Sequence, residues 1–160
     1  MNSCVFPGSF DPVTIGHMNI ISRAAAAFEK VNVVVMINVS KAGSLPVHQR
    51  IKLLKKACAL FPNVFVEEWD GLLAEYMREH NERILIRGVR NCAEFEHEYN
   101  SALINGKLND QIETFLMPSD PLLSVVSSSM VREIAGFVGD ISEFVPAECK
   151  KDIMKLLSKQ

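Results

Sequence analysis

The chain has 160 residues, 48% of them hydrophobic and 22% charged, which suits one globular domain with a full core spanning residues 1–160. Its 17 basic and 19 acidic residues give a net charge of −2, which argues against a nucleic-acid partner but leaves room for a small anion held by a few local cations. The apolar stretches are shorter than the ~18 residues of a membrane span, and the first residues lack the basic start and apolar run of a signal peptide, so a cytoplasmic protein without a membrane partner is expected.

In chain order, residues 3–6 form a short strand candidate ending at Pro7-Gly8. Apolar residues then recur at helical spacing from Met18 through Ile21, Ala25 and Phe28. The Val-rich run 31–39 reads as a buried strand. Ile51, Leu54, Cys58 and Phe61 mark a second helix, residues 64–66 a third strand, and Leu72, Leu73 and Tyr76 a short third helix. Residues 84–86 form a fourth strand, and Phe95, Tyr99 and Ala102 mark a helix that Gly106 ends. Residues 114–117 form a fifth strand stopped by Pro118. Val131, Ile134, Ala135 and Val138 mark another helix. Pro146 opens a last one as a first-turn proline, with Ile153, Leu156 and Leu157 inward. Cys4, Cys58, Cys92 and Cys149 are scattered, as are the four histidines, so the cysteines read as small core residues rather than as a zinc site or disulfide framework.

Strands alternating with helices predict a parallel sheet with helices on both faces, whose ligand site lies beyond the carboxyl ends of the strands. The residues after each strand are therefore the candidates. After the first, Gly8 permits a sharp turn, and Gly16-His17 opens a helix whose N-terminus suits a phosphate. After the second stands Lys41. After the fourth, Arg87-Gly88-Val89-Arg90 places two guanidinium groups around a glycine, a compact anion-binding turn. The acids Glu94, Glu96 and Glu98 follow on a helix. After the fifth strand, Ser127, Ser128 and Ser129 precede a helix, where they can cap it or hold phosphate oxygens.

The string Gly8-Ser9-Phe10-Asp11-Pro12 followed by Thr14-Ile15-Gly16-His17 resembles the strand–loop–helix element of the nucleotidylyltransferase superfamily. Arg87-Gly88-Val89-Arg90, Glu94-Phe95-Glu96-His97-Glu98 and Val126-Ser127-Ser128-Ser129-Met130-Val131-Arg132 resemble further marks of its phosphopantetheine adenylyltransferase branch. Ser9 stands where that family has Thr, Val126 where it has Ile, His48-Gln49 where acids are common, and His97 where Tyr is common. The resemblance implies a Rossmann-like α/β domain with a five-stranded parallel sheet that joins the adenylyl group of ATP to 4′-phosphopantetheine. It implies catalysis by His17 and acceptor binding by Ser9, Lys41, Leu73 and Arg87. It further implies ATP binding by Ser9, Phe10, His17, Gly88, Val89, Arg90, Glu98, Leu123, Ser124, Val125, Val126, Ser127, Ser128 and Ser129. Mg²⁺ held mainly through substrate phosphates and a homohexamer are also implied. A nicotinamide-mononucleotide enzyme and a non-catalytic nucleotide-binding regulator are the alternatives. The first is disfavoured by the Arg87–Arg90 turn, the second by His17, Lys41 and both arginines.

Overall fold

The structure is a computed structural model that describes residues 2–37 and 43–158. Its strands are β1 (Ser3–Gly8), β2 (Lys30–Ile37), β3 (Val64–Asp70), β4 (Ile84–Val89) and β5 (Glu113–Pro118). Its helices are α1 (Ile15–Ala27), α2 (Val47–Ala57), α3 (Leu73–Glu79), α4 (Cys92–Leu108), α5 (Ser128–Gly136) and α6 (Lys150–Leu157), with a 3₁₀ turn at Pro121–Leu123. The five strands form one wholly parallel sheet in the order β3-β2-β1-β4-β5. The chain moves outward from β1 in one direction and then returns to β4 on its other side, so the strand order reverses between β1 and β4.

The two-residue alternation of a strand sorts the core. Cys4 and Phe6 of β1, Val31, Val33 and Val35 of β2, and Ile86 of β4 join one core with Ile20, Ile21, Leu53, Leu54, Val131 and Ile153 from the helices. Val5, Val34 and Leu85 face the opposite way, against Ala74, Tyr76 and Met77 of α3. Arg87 shares the parity of Leu85, and its side chain meets α4 at Glu98. Buried Glu82 is satisfied by Ser3 Oγ at 2.5 Å and by Asn32 Nδ2 at 2.7 Å, so these polar side chains sit inside without orphaned atoms.

Several boundaries differ from expectation. β1 runs through Pro7 and Gly8, because its partner β2 continues the parallel ladder to Val35. Helix α4 runs through Gly106, where an added Cβ would meet nothing within 4 Å, so the glycine marks neither a turn nor a close approach. Phe95 and Tyr99 mark the helix, yet both are exposed, as are Leu103, Ile104 and Leu108. Helix α2 ends at Ala57, before Phe61, and α6 begins at Lys150, one turn after Pro146. Cys4, Cys58 and Cys149 are core residues, but Cys92 is exposed in the first turn of α4.

Val138 is not helical. Helix α5 ends in a Schellman motif, in which the Gly139 N–H bonds Ile134 O at 2.8 Å and the Val138 N–H bonds Ala135 O at 3.0 Å. This places Val138 at φ 59°, a left-handed conformation that a β-branched residue disfavours. Gly139 cannot take a side chain, because its Cβ would lie 2.7 Å from Ile134 Cγ2. Val138 is 72% exposed and loses little packing when truncated. Val138→Gly is therefore expected to raise unfolding stability by about 0.5–1 kcal/mol, after allowing for the freer unfolded chain. Urea unfolding checks this, and a loss of stability would count against the strain argument.

Candidate active site

A cleft of about 460 Å³ opens at the carboxyl ends of β1 and β4. It is lined by Gly8 and Ser9 after β1, His17 of α1, Arg87 to Arg90 at the end of β4, Glu94 and Glu98 of α4, and the start of α5. Helices α1 and α5 both present their N-termini to it, so two helix dipoles favour an anion there.

The sequence builds this cleft locally. Thr14 caps α1 by accepting the His17 N–H at 3.3 Å, and His17 Nδ1 accepts the Thr14 N–H at 3.0 Å. This is a capping box in which a histidine takes the place of the usual Glu or Gln. Because Nδ1 is the acceptor, the ring proton sits on Nε2. Burial, with the positive charges of Arg90 and Arg87 adding to it, lowers His17 from its ordinary 6.5 to about 4. His17 is thus a neutral donor at physiological pH. Buried Phe10 packs its ring edge-on against His17, with centroids 4.9 Å apart. The same ring lies 3.0 Å from where a Cβ on Gly8 would be, so glycine is required there.

Asp11 ties this loop to the rest of the chain. Its carboxylate accepts the N–H groups of Ser44 at 2.7 Å and Leu45 at 2.8 Å, and Arg132 of α5 donates to its carbonyl. Buried Arg50 donates to Ser9 O at 2.9 Å. The Asp11–Pro12 peptide is cis.

Both arginines of the β4 turn are already engaged. Arg87 Nε and Nη2 donate to the two carboxylate oxygens of Glu98, each at 2.7 Å, and Nη1 donates to Pro7 O at 2.9 Å. Arg90 chelates Glu94 and donates to Val126 O at 2.7 Å, linking the end of β4 to the serine segment. Burial of Glu94 opposes its ionisation, but the hydrogen bonds from Arg90 outweigh this and hold its carboxyl below the usual range. Ser127 caps α5 through the Met130 N–H, and Ser128 Oγ donates to Pro12 O at 2.7 Å.

The structure thus brings together Ser9, His17, Arg87, Gly88, Arg90, Glu98, Val126, Ser127, Ser128 and Ser129 around one cleft. Phe10 stands behind it in the core. Val89, Leu123, Ser124 and Val125 lie outside its lining, the last three on or beside the 3₁₀ turn. Leu73 lines a second cavity of about 270 Å³ with Leu85, Ser101, Ala102, Ile104, Asn105 and Thr114, and Arg87 and Glu98 border both cavities. Lys41 lies outside the described residues. Arg132, Glu94, His97 and Ser119 also line the cleft, although sequence reasoning gave them no role there. The Glu94-Phe95-Glu96-His97-Glu98 run after β4 was the signal that could have found Glu94. Among the described residues, no group of His, Cys, Asp or Glu is arranged to hold a metal ion, and no helix is long and apolar enough to cross a membrane.

Fold and cleft together define a nucleotidyltransferase, and residues 5–134 match the cytidylyltransferase-like family. A phosphopantetheine adenylyltransferase of Caldanaerobacter subterraneus is 43% identical over 159 residues, covering 99% of both chains. One of Clostridium perfringens is 40% identical over 96% of this chain and 94% of its own. One of Clostridium tetani is 43% identical over 97% of each. The chain belongs to the phosphopantetheine adenylyltransferase family. A crystal structure described as a nicotinate-nucleotide adenylyltransferase from Vibrio parahaemolyticus shares the fold, with a TM-score of 0.67 at 15% identity over 99% of this chain and 93% of that one.

The pKa of His17 has a consequence for stability. Between about pH 6.5 and 4 the unfolded chain binds a proton at His17 that the folded chain does not, so this residue makes stability fall as the pH drops through that window. His17→Gln keeps a capping-box residue but removes the titration. In urea unfolding, the wild type is expected to lose more stability than His17→Gln between pH 7 and 4.5. Equal losses would show that the buried imidazole is not held neutral.

Proposed function

We propose that this cleft transfers the adenylyl group of ATP to 4′-phosphopantetheine, forming 3′-dephospho-coenzyme A and pyrophosphate. The observation that best supports this is a neutral His17 with its proton on Nε2, set among Arg87, Arg90 and two helix N-termini. A phosphate monoester has its second pKa near ~6 and is mostly a dianion at neutral pH, so the acceptor needs no general base. One of its oxygens attacks the α-phosphorus of ATP in line, and the bond from that phosphorus to the pyrophosphate oxygen breaks. The work left to the protein is positioning and charge stabilisation.

In this reading His17 donates from Nε2 to an α-phosphate oxygen as charge builds there. Ser9, Lys41 and Arg87 hold the acceptor phosphate. Arg90 and residues 123–129 receive the polyphosphate and nucleoside, with Phe10, Gly88 and Val89 shaping that side. Leu73 meets the thiol-bearing arm in the second cavity, whose aliphatic lining and amide- and hydroxyl-bearing Asn105, Ser101 and Thr114 suit an amide-containing chain. Glu94 and Glu98 are both taken by arginines, so Mg²⁺ bound with the nucleotide would draw its ligands from phosphate oxygens and water. The protein works in the cytoplasm as a homohexamer. The exposed residues Phe95, Tyr99 and Leu103, four apart on α4, supply an apolar face for self-association.

The test is pyrophosphate release with ATP and a panel of acceptors. Turnover is expected with 4′-phosphopantetheine and not with pantetheine lacking the phosphate. In the same assay His17→Ala should lower kcat by about 10²–10³ while changing ATP affinity much less. Turnover of the dephosphorylated acceptor would refute the substrate assignment, and near-normal kcat in His17→Ala would refute the mechanism. Light scattering checks the assembly separately, with six subunits expected and a monomer at working concentration the refuting result.

A further inference from the structure

Arg50 of α2 holds a positive charge inside the protein with no negative partner. It is 6% exposed, and among the described residues it makes no ion pair. The one hydrogen bond of its side chain runs from Nη1 to Ser9 O at 2.9 Å, and buried Nε has no protein partner. Its guanidinium packs against the bare Cα of Gly43, where an added Cβ would lie 3.2 Å from Nη2. A cation buried without a carboxylate destabilises a fold, and so does a buried donor without an acceptor. Functional sites are where chains keep such groups.

The bond from Arg50 ends on a residue of the cleft. Ser9 is exposed there, and among the described residues nothing takes its hydroxyl. The loop that carries Ser9 is attached elsewhere without Arg50. The Asp11 carboxylate accepts the Ser44 and Leu45 N–H groups, and its carbonyl accepts from Arg132. What Arg50 adds is the orientation of the Ser9 carbonyl. Because the peptide unit is planar, holding that carbonyl fixes ψ at Ser9, and with it the direction in which the side chain leaves the loop. The guanidinium also sets a full positive charge behind the loop, where burial weakens screening by solvent.

We infer that Arg50 is a positioning residue for the acceptor phosphate, turning Ser9 toward it from behind and keeping a fixed positive charge beneath the loop. The inference rests on the proposed function, which puts that phosphate on Ser9. A purely structural arginine and a positioning one differ in what its loss does to stability. Arg50→Met keeps an apolar stem and removes both the unpaired charge and the orphaned Nε. The Ser9 carbonyl it frees is in a part-buried bond on an exposed residue, so water replaces the lost donor. Stability therefore holds or rises, as it often does when buried charges give way to apolar side chains. Turnover falls nonetheless, because an attacking oxygen misplaced by ~1 Å loses about 10²-fold in rate.

The test compares wild type with Arg50→Met by thermal melting and by pyrophosphate release at saturating ATP with varied 4′-phosphopantetheine. The variant is expected to melt no lower than wild type and to lose about 10–100-fold in kcat/KM for the acceptor. Ser9→Ala and the double variant complete a cycle. Since Arg50 acts through Ser9, the double variant should lose clearly less than the product of the two single losses. The inference is overturned if Arg50→Met fails to fold or melts more than about 4 °C below wild type, which would assign the residue to stability. It is also overturned if that variant turns over like wild type, or if the two losses multiply in full. Each of these results leaves the proposed function standing. Wild-type enzyme that released no pyrophosphate with 4′-phosphopantetheine would remove the functional reading itself, before any variant was made, and the inference with it.

Discussion

A single hydrogen bond, from the Thr14 N–H to His17 Nδ1, organises the cleft. It closes the capping box that starts α1, and it decides which ring nitrogen carries the proton. Burial then keeps that ring neutral. A protonated imidazole would lose the bond, since Nδ1 would become a donor facing another donor. Helix start, tautomer and charge state are therefore one choice made by a four-residue stretch. Phe10 holds the ring from behind, and its own placement needs the bare Cα of Gly8 and a left-handed φ of 46° at Phe10 itself. Strain of this kind persists where surrounding packing over-determines it, and functional sites are where it concentrates.

The cationic side chains follow a related logic. Ion pairs on an open surface contribute little to stability. Here the pairs Arg87–Glu98 and Arg90–Glu94 are partly buried, and their main effect is geometric. Each arginine also donates to a backbone carbonyl on a different segment, Pro7 O for one and Val126 O for the other. The β4 turn is thereby anchored to both flanking motifs. Donors fixed in advance need no reorganisation when charge develops, which is the condition for electrostatic catalysis.

Much of this was readable from residues alone, because it follows from local rules. Short apolar runs marked all five strands, and their alternation with helical periodicity dictated a parallel sheet. Ser9, His17, Arg87, Gly88, Arg90, Glu98 and residues 126–129 met in one cleft, since a parallel sheet carries all its carboxyl ends on one edge. What escaped notice depends on distant chain. Periodicity found the apolar stripe of α4 but not its direction, because a stripe looks the same whether it faces the sheet or solvent. Arg87 and Glu98 are separated by a strand end, a turn and a helix turn, and no spacing rule links them. Arg132 reaches the Asp11 carbonyl across 121 positions. Val138 fits a helical pattern, yet the Schellman hydrogen bonds place it outside the helix.

The strand order carries a consequence for synthesis. Of the five strands β1 is made first, yet one of its edges waits for β4, which is made fourth. Residues 3–70 can lay down β1, β2 and β3 side by side, but the other edge of β1 stays open until residues 84–89 arrive. During that interval a central, apolar strand is exposed as an edge, the kind of surface that invites pairing with another chain. The cleft sits on this junction. The wall that carries Arg87 and Arg90 is missing until β4 docks, and the far rim waits for α5, so a nascent chain completes its anion-binding geometry only once the sheet is closed around its oldest strand.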